Sequence, residues 1–459
     1  MSGSWAVARN LIREVLRMRP LMAFLAVALS GCTLGMAVWL HGAGGPADEK
    51  IQTFLSYSLR FSTTVLSLIT IFISAATVAR DIKRKEVFTI ATKPISRERF
   101  LLGKFVGLAV LNLLLLAIVG GAVYGLSQVL RRTEPNTDAE HTRLNELVFV
   151  ARKGVKPPLP DIGMQVRQRV EAIVEEKVRN ETVYKNNPQL VRDMRMKLTA
   201  EIGKQLLIQS SAIAPSGYKI WKFSGIQPQN REQGYMFIRY KQEVSVNPRD
   251  LALTNEWLIG PEDPVIAGGR SFARKDAIRT FHEFAVPVTD LSATGDLYVA
   301  YRNSPRNGPI TVIFPADVGI EVLYVAGGFE GNFLRCLALI YLRLLFLAVL
   351  GLALGAWLSF PVAVLVVLVV FVLGLSSDFL AGAMKWEATR VLAAITKAMI
   401  APLPKFAAYD PLPQFEKGRM VSYDMLAKCG LYMIVLKAGI VGFFGYLVFK
   451  FRELARVIV

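Results

Sequence analysis

The chain has 459 residues, 53% of them hydrophobic and 20% charged, with 54 Lys and Arg against 36 Asp and Glu for a formal net charge of +18. It is too apolar for an ordinary soluble chain of this size, and several nearly uncharged runs approach the roughly 20 residues that a membrane-spanning helix needs. The placement of the charge argues against nucleic-acid binding: residues 131–332 hold a balance of only +3, and most of the rest lies in short segments beside apolar runs, where it orients membrane helices.

Residues 1–20 read as a basic amphipathic lead-in (Arg9, Arg13, Arg17, Arg19) closed by Pro20. The first apolar run covers about 21–40. It contains Leu29-Ser-Gly-Cys32, which fits a lipoprotein cleavage box, but the run continues to Leu40 as a spanning helix does and a cleaved signal does not. A second span is predicted at 54–79, with Arg60 near one end and able to snorkel. The segment Arg80 to Lys104 follows, with eight cations against three acids, and by the positive-inside rule it stays in the cytoplasm. Val87, Ile90 and Ala91 recur in it at helical spacing, Pro94 ends that helix, and Ser96 can cap the next. A third span is predicted at 105–130, so the first three crossings run out, in and out.

Residues 131–332 change character: mixed charge and no spanning run. Residues 140–210 look helical. Val166, Val170, Ile173, Val174 and Val178 form one stripe, and Leu190, Met194, Leu198, Ile202 and Leu206 form another after Asn186-Asn-Pro188, which predicts a helical hairpin. Over 215–326 the period drops to two, with short strands at Tyr218–Phe223, Tyr235–Lys241, Phe281–Val286, Leu297–Arg302 and Ile310–Phe314, which predicts a β-sandwich.

Further spans are predicted at 333–357 and 362–380, separated by the turn Leu358-Ser-Phe-Pro361. A re-entrant or amphipathic segment at 384–413 leads to a last span at 429–449, closed by Lys450, Arg452 and Arg456. The expected fold is therefore an α-helical membrane protein of six transmembrane helices, with an extracytoplasmic α+β domain (helical hairpin plus β-sandwich) inserted between helices three and four. Three divisions follow: 1–130, 131–332 and 333–459. Both termini are expected in the cytoplasm. Residues 381–428, placed outside, carry seven bases against four acids, so their topology stays open.

No phosphate-cradling Gly-x4-Gly-Lys-[Ser/Thr] loop is present, and neither is His-Glu-x-x-His, Gly-x-Ser-x-Gly or a paired His/Cys spacing. The chain is therefore not expected to be an enzyme, to bind ATP itself or to hold a metal or cofactor. The three cysteines lie in or beside apolar runs and imply no disulfide framework. Two cations fall inside spans, Arg343 and Lys437. Each either contacts an anionic headgroup or substrate, or only snorkels or pairs with another helix, and Asp378 is a possible partner for either. Arg335 reads as interfacial.

The stretch Arg80-Asp-Ile-x3-Glu-x-Phe-Thr-x2-Thr-Lys-Pro-Ile-Ser-Arg-x2-Phe-x2-Gly-Lys104 resembles the cytoplasmic coupling segment of type-2 ATP-binding-cassette (ABC) transporter permease subunits. Leu352-Ala-Leu-Gly-Ala-Trp-Leu-Ser-Phe-Pro-Val-Ala363 is similar to that family's turn between its fourth and fifth helices. Leu403-Pro-Lys-Phe406 with Asp410 is similar to its outer segment before the last helix, and Phe449-Lys-Phe-Arg-Glu453 to its terminal Phe-x-x-Arg-Glu. The set covers a little over half of the chain. Lys85-Glu86 stand where many members have Gly-Thr, and the insertion far exceeds the family's usual outer loop. The resemblance implies a multi-pass protein of a bacterial cytoplasmic membrane. It also implies an ABC ATPase subunit that binds ATP and presses near Asp81, Arg84, Lys85, Glu86, Lys93, Pro94 and Arg97, and a second permease subunit, identical or paralogous. The alternative is a membrane-anchored sensor or scaffold whose β-sandwich binds a ligand or partner without transport.

Overall fold

The computed structural model describes residues 2–17, 27, 31, 46–83, 96–135, 137–232, 234–383 and 401–451. In chain order the helices are α1 (Ser2–Leu16), α2 (Ala47–Lys83), α3 (Arg97–Thr133), α4 (Asp138–Leu147), α5 (Gly163–Asn180), α6 (Pro188–Ser210), α7 (Phe329–Trp357), α8 (Phe360–Leu375) and α9 (Tyr423–Phe451), with single helical turns between some of them. The strands run from β1 (Val150–Val155) to β11 (Ile320–Gly328). The chain divides into two compact units, residues 1–151 with 327–459, and residues 152–326.

The first unit is helical. α2, α3, α7 and α9 are each long and apolar enough to cross a membrane. α8, at 16 residues, is about 24 Å long and falls short of a 30 Å hydrocarbon core. The predicted 362–380 helix in fact breaks at Ser376, and a separate short helix (Ser377–Ala383) follows. The predicted first span (21–40) lies almost entirely outside the described residues. α7 is the hub, packing against α2, α3, α8 and α9. Its approach to α2 is close because Gly351 and Gly355 meet Ser74 and Ala75: a Cβ at position 355 would lie 2.7 Å from the Ala75 carbonyl oxygen. The amphipathic α1 buries Ala8, Leu11 and Val15 and lies along α3, where Gly103 and Gly107 leave room for it.

The second unit holds the predicted hairpin and a β structure richer than expected. α5 and α6 bury Val166, Val170, Val174, Ile202 and Leu206 against each other, with Ile173, Val178, Met194 and Leu198 at the margin, while Leu190 stays exposed. Two four-stranded sheets share one core: one is ordered β1, β11, β4 (Tyr235–Lys241), β8 (Phe281–Pro287), the other β3 (Tyr218–Phe223), β9 (Leu297–Asn303), β6 (Ala252–Gly260), β7 (Arg270–Ala277). A small sheet ordered β2 (Ala212–Ile213), β10 (Val312–Ile313), β5 (Glu243–Val244) adds Ile213 and Val312 to it. The core is aromatic, with Trp257 against Tyr240 at 4.7 Å and against Tyr301 at 5.0 Å between ring centroids. Six of the eleven strands were not expected: β1, inside the stretch read as helical, the two-residue β2 and β5, β6, β7 and β11.

Candidate functional site

Two polar clusters lie at opposite ends of the helical unit. The first brackets the basic loop. α2 runs straight to Lys83 because residues 54–83 contain no Gly or Pro, and α3 starts where the Ser96 side chain accepts the Arg99 backbone N–H. Below the loop the Lys104 ammonium lies 2.8 Å from the Asp81 carboxylate, with the two side chains only 6% and 10% exposed. The same ammonium lies 5.4 Å from the centroid of the Phe100 ring, which stacks on Phe449 of α9 at 6.1 Å. Arg97 donates from Nη1 to the carbonyls of Phe449 and Lys450, at the last turn of α9, and the Tyr446 hydroxyl donates to Glu98 at 2.6 Å. A cation on terminal carbonyls and an acid at a helix start both suit the helix dipoles.

Of the residues expected to meet an ATPase, Asp81 is thus buried and joined to Lys104, so it ties α2 to α3 from beneath. Arg97 is exposed but engaged with α9. Arg84, Lys85, Glu86, Lys93 and Pro94 lie outside the described residues.

The second cluster is built by residues 401–422 at the other end. Arg343, buried midway along α7, lies 3.5 Å from the Asp410 carboxylate and over the Phe406 ring at 5.6 Å. This corrects the expected pairing. Asp378 is exposed in the short helix that follows α8, whereas Asp410 is carried inward by a proline-broken loop. Lys437, half-buried midway along α9, donates to the carbonyl of Ala401, in the same loop. Arg335, near the start of α7, is buried against the protein, with its guanidinium over Tyr423 at 4.9 Å.

Around these cations the loop is held at several points. Phe406 is 2% exposed, wedged between Phe346 (5.7 Å) and Phe371 (5.9 Å), and a Cβ at Gly374 would fall 2.5 Å from its ring. Glu416 accepts from Ser56 at 2.5 Å and from Arg60 at 3.1 Å, so Arg60 has a protein partner. Asn332, fully buried, donates to the Arg419 carbonyl and accepts the Val421 N–H, both at 2.8 Å. Such bidentate use of one amide leaves no buried polar group of that side chain unmade. Asp410 carried a signal in the sequence, as part of the stretch from Leu403. Glu416 and Asn332 carried none, since each matters only through a partner distant in sequence.

The helical unit also has two lateral apolar clefts. One, of about 480 Å³, is walled by Leu101, Phe105, Val349, Ala353, Gly442 and Phe443. The other, of about 590 Å³, lies between α3 and α7. Outward-facing Leu113, Ile118, Leu365, Val369, Val435 and Ile440 continue this apolar surface, as expected of helices solvated by lipid. Among the described residues no group of His, Cys, Asp and Glu could hold a metal ion.

These features define a membrane-type helical protein with a separate β-sheet unit. The chain matches no protein-family model, no curated protein and no solved structure.

Proposed function

We propose that this chain is the permease subunit of an ABC transport system, in which a separate ATPase subunit hydrolyses ATP and drives export across a bacterial cytoplasmic membrane. The observation that carries the reading is the anchoring of the basic loop at both feet. Lys104–Asp81 locks α2 to α3, while Arg97 and Glu98 fasten the start of α3 to the end of α9. Force applied to residues 84–95 would then reach three spanning helices rather than dissipate in a loose loop.

Helix direction supports the topology that goes with this reading. α2, α7 and α9 run away from the end bearing residues 401–422, and α3 runs toward it. With the basic loop in the cytoplasm, residues 131–332 fall outside and both termini inside, in a six-span arrangement that counts 21–40 and α8. Two copies, or one copy and a paralogue, would frame the pathway. The sensor reading keeps one specific support, a cavity of about 220 Å³ in the β unit lined by Pro158, Pro160, Lys219, Trp221 and Phe314.

The test is affinity purification of the full chain from its native membrane. An ABC ATPase should co-purify, and Arg84→Glu with Lys85→Glu and Pro94→Ala should abolish that association while membrane insertion persists. Normal insertion and function with no ATPase bound would refute the permease reading.

A further inference from the structure

We propose that Lys405 and Lys437, together with the hydroxyls of Tyr409 and Tyr432, form a binding site for a phosphate-class anionic headgroup on the lateral wall of the helical unit. Both ammonium groups sit on one ring: Lys405 Nζ is 5.7 Å and Lys437 Nζ 5.5 Å from the Tyr432 centroid, which keeps them within about 11 Å of each other. The Tyr409 ring is 5.9 Å from the same centroid. The four side chains come from two places, the loop after Ala401 and the first half of α9.

The winding of α9 creates this grouping. Gly430–Ala438 is a π-helix. In an α-helix, at about 100° per residue, positions five apart point about 140° away from each other, so Tyr432 and Lys437 would diverge. Hydrogen bonds from i to i+5 stack such positions instead. The rare geometry therefore has a concrete result, a lysine over a tyrosine on a helix whose neighbours Leu431, Val435, Leu436 and Ile440 face outward.

Charge then asks for a partner. Three other cations around this loop have carboxylates, Arg343 with Asp410, Arg60 with Glu416 and Lys428 with Asp424, while Arg335 lies over the Tyr423 ring and donates to the Gly331 carbonyl. Among the described residues Lys405 and Lys437 have none; the one hydrogen-bond acceptor of Lys437 is the Ala401 carbonyl. Two like charges on an apolar wall repel each other and are costly in lipid unless an anion joins them. A phosphate carries the matching charge and enough oxygens to accept from two ammoniums and two phenols. It could come from a membrane lipid, from a lipid-linked cargo or from solution. The inference rests on the bilayer reading of the helical unit and not on an ATPase partner.

Native mass spectrometry of the detergent-solubilised full chain tests it, with dioleoylphosphatidic acid, net-neutral dioleoylphosphatidylcholine and inorganic phosphate as probes. Phosphatidic acid should bind at least about tenfold tighter than phosphatidylcholine, and Lys405→Gln with Lys437→Gln should weaken it about 30-fold. Lys428→Gln should leave binding unchanged, and the double replacement by Arg should hold it within a few-fold. Equal binding of the two lipids, or wild-type affinity in the Gln pair, overturns the site. If the Gln pair does not stay monodisperse, Tyr432→Phe with Tyr409→Phe serves as the second variant: it should weaken phosphatidic acid severalfold, and unchanged binding counts against the site. Displacement by inorganic phosphate upholds the site and marks a soluble source; persistence of the lipid upholds it and marks the membrane. Co-purification of an ATPase with the Gln pair should be unaffected, which separates this test from that of the permease reading.

Discussion

Removing one half of the Asp81–Lys104 pair should cost far more than removing both. The two groups are 2.8 Å apart with side chains 6% and 10% exposed, so solvent screening offers little relief. Asp81→Asn keeps the shape but leaves a buried ammonium with no counter-charge, and Lys104→Met leaves a buried carboxylate. Each single change should cost about 3–5 kcal/mol. In the double variant the two neutral side chains no longer need each other, so its cost should fall well below that of either single, and the cycle should return a coupling larger than either single cost. At roughly 2 °C per kcal/mol for a protein of this size, each single variant should melt about 6–10 °C below the parent and the double variant within about 3 °C of it. Thermal unfolding of the purified full chain, followed by intrinsic fluorescence in detergent, reads all four proteins side by side. The reasoning fails if either single variant melts with the parent, or if the double variant falls as far as the worse single one.

Other consequences are equally direct. Gly355→Leu would drive a side chain into the Ala75 backbone of α2, and should lower stability by about 1–3 kcal/mol by the same melting assay. Phe406→Ala opens a cavity between Phe346 and Phe371 and should cost about 3–5 kcal/mol, with hydrogen exchange rising first across residues 401–416. In the β unit, burial pushes the Asp276 carboxyl up, but hydrogen bonds from Tyr240 and Asn255 and the Arg274 charge outweigh it and hold the group below the usual carboxylate range. A depressed folded value means stability that is fully present above the unfolded value of about 3.9 and lost as pH falls through the lower folded one. Protection of residues 270–287 against hydrogen exchange, relative to the free-peptide rate at each pH, should therefore fall as pH drops below about 4, and Asp276→Asn should flatten that dependence while lowering protection at neutral pH. An unchanged pH profile in the variant would remove Asp276 from the account. Reagents confined to the cell exterior should fail to label Lys85→Cys; labelling from outside would invert the proposed topology.

Apolar run length and the period of hydrophobic residues are local properties, and they placed the long helices to within a few residues at most ends. They also set the α5–α6 hairpin and five of the strands. The strand at Ala252–Gly260 escaped notice because Asn255 occupies one of its inward positions between Leu253 and Trp257, interrupting the apolar alternation. Only the fold supplies the Tyr301 hydroxyl and Asp276 carboxylate that make a buried amide tolerable there. β7 was hidden for the converse reason: it is a charged edge strand, with little apolar pattern to read.

The candidate sites divide the same way. That Arg343 and Lys437 lie in apolar runs, and that the loop between α2 and α3 is basic, follows from composition along the chain. Which group meets each cation does not, because a side chain's partner is set by what packs beside it and not by its neighbours in sequence. Asp378 lies nearer to Arg343 along the chain, yet Asp410 meets it, because Phe406 seated against Gly374 draws the loop inward and brings the carboxylate along. Tyr432 and Lys437 share a face only because α9 winds as a π-helix there, a choice made by packing and invisible in hydrophobic spacing alone.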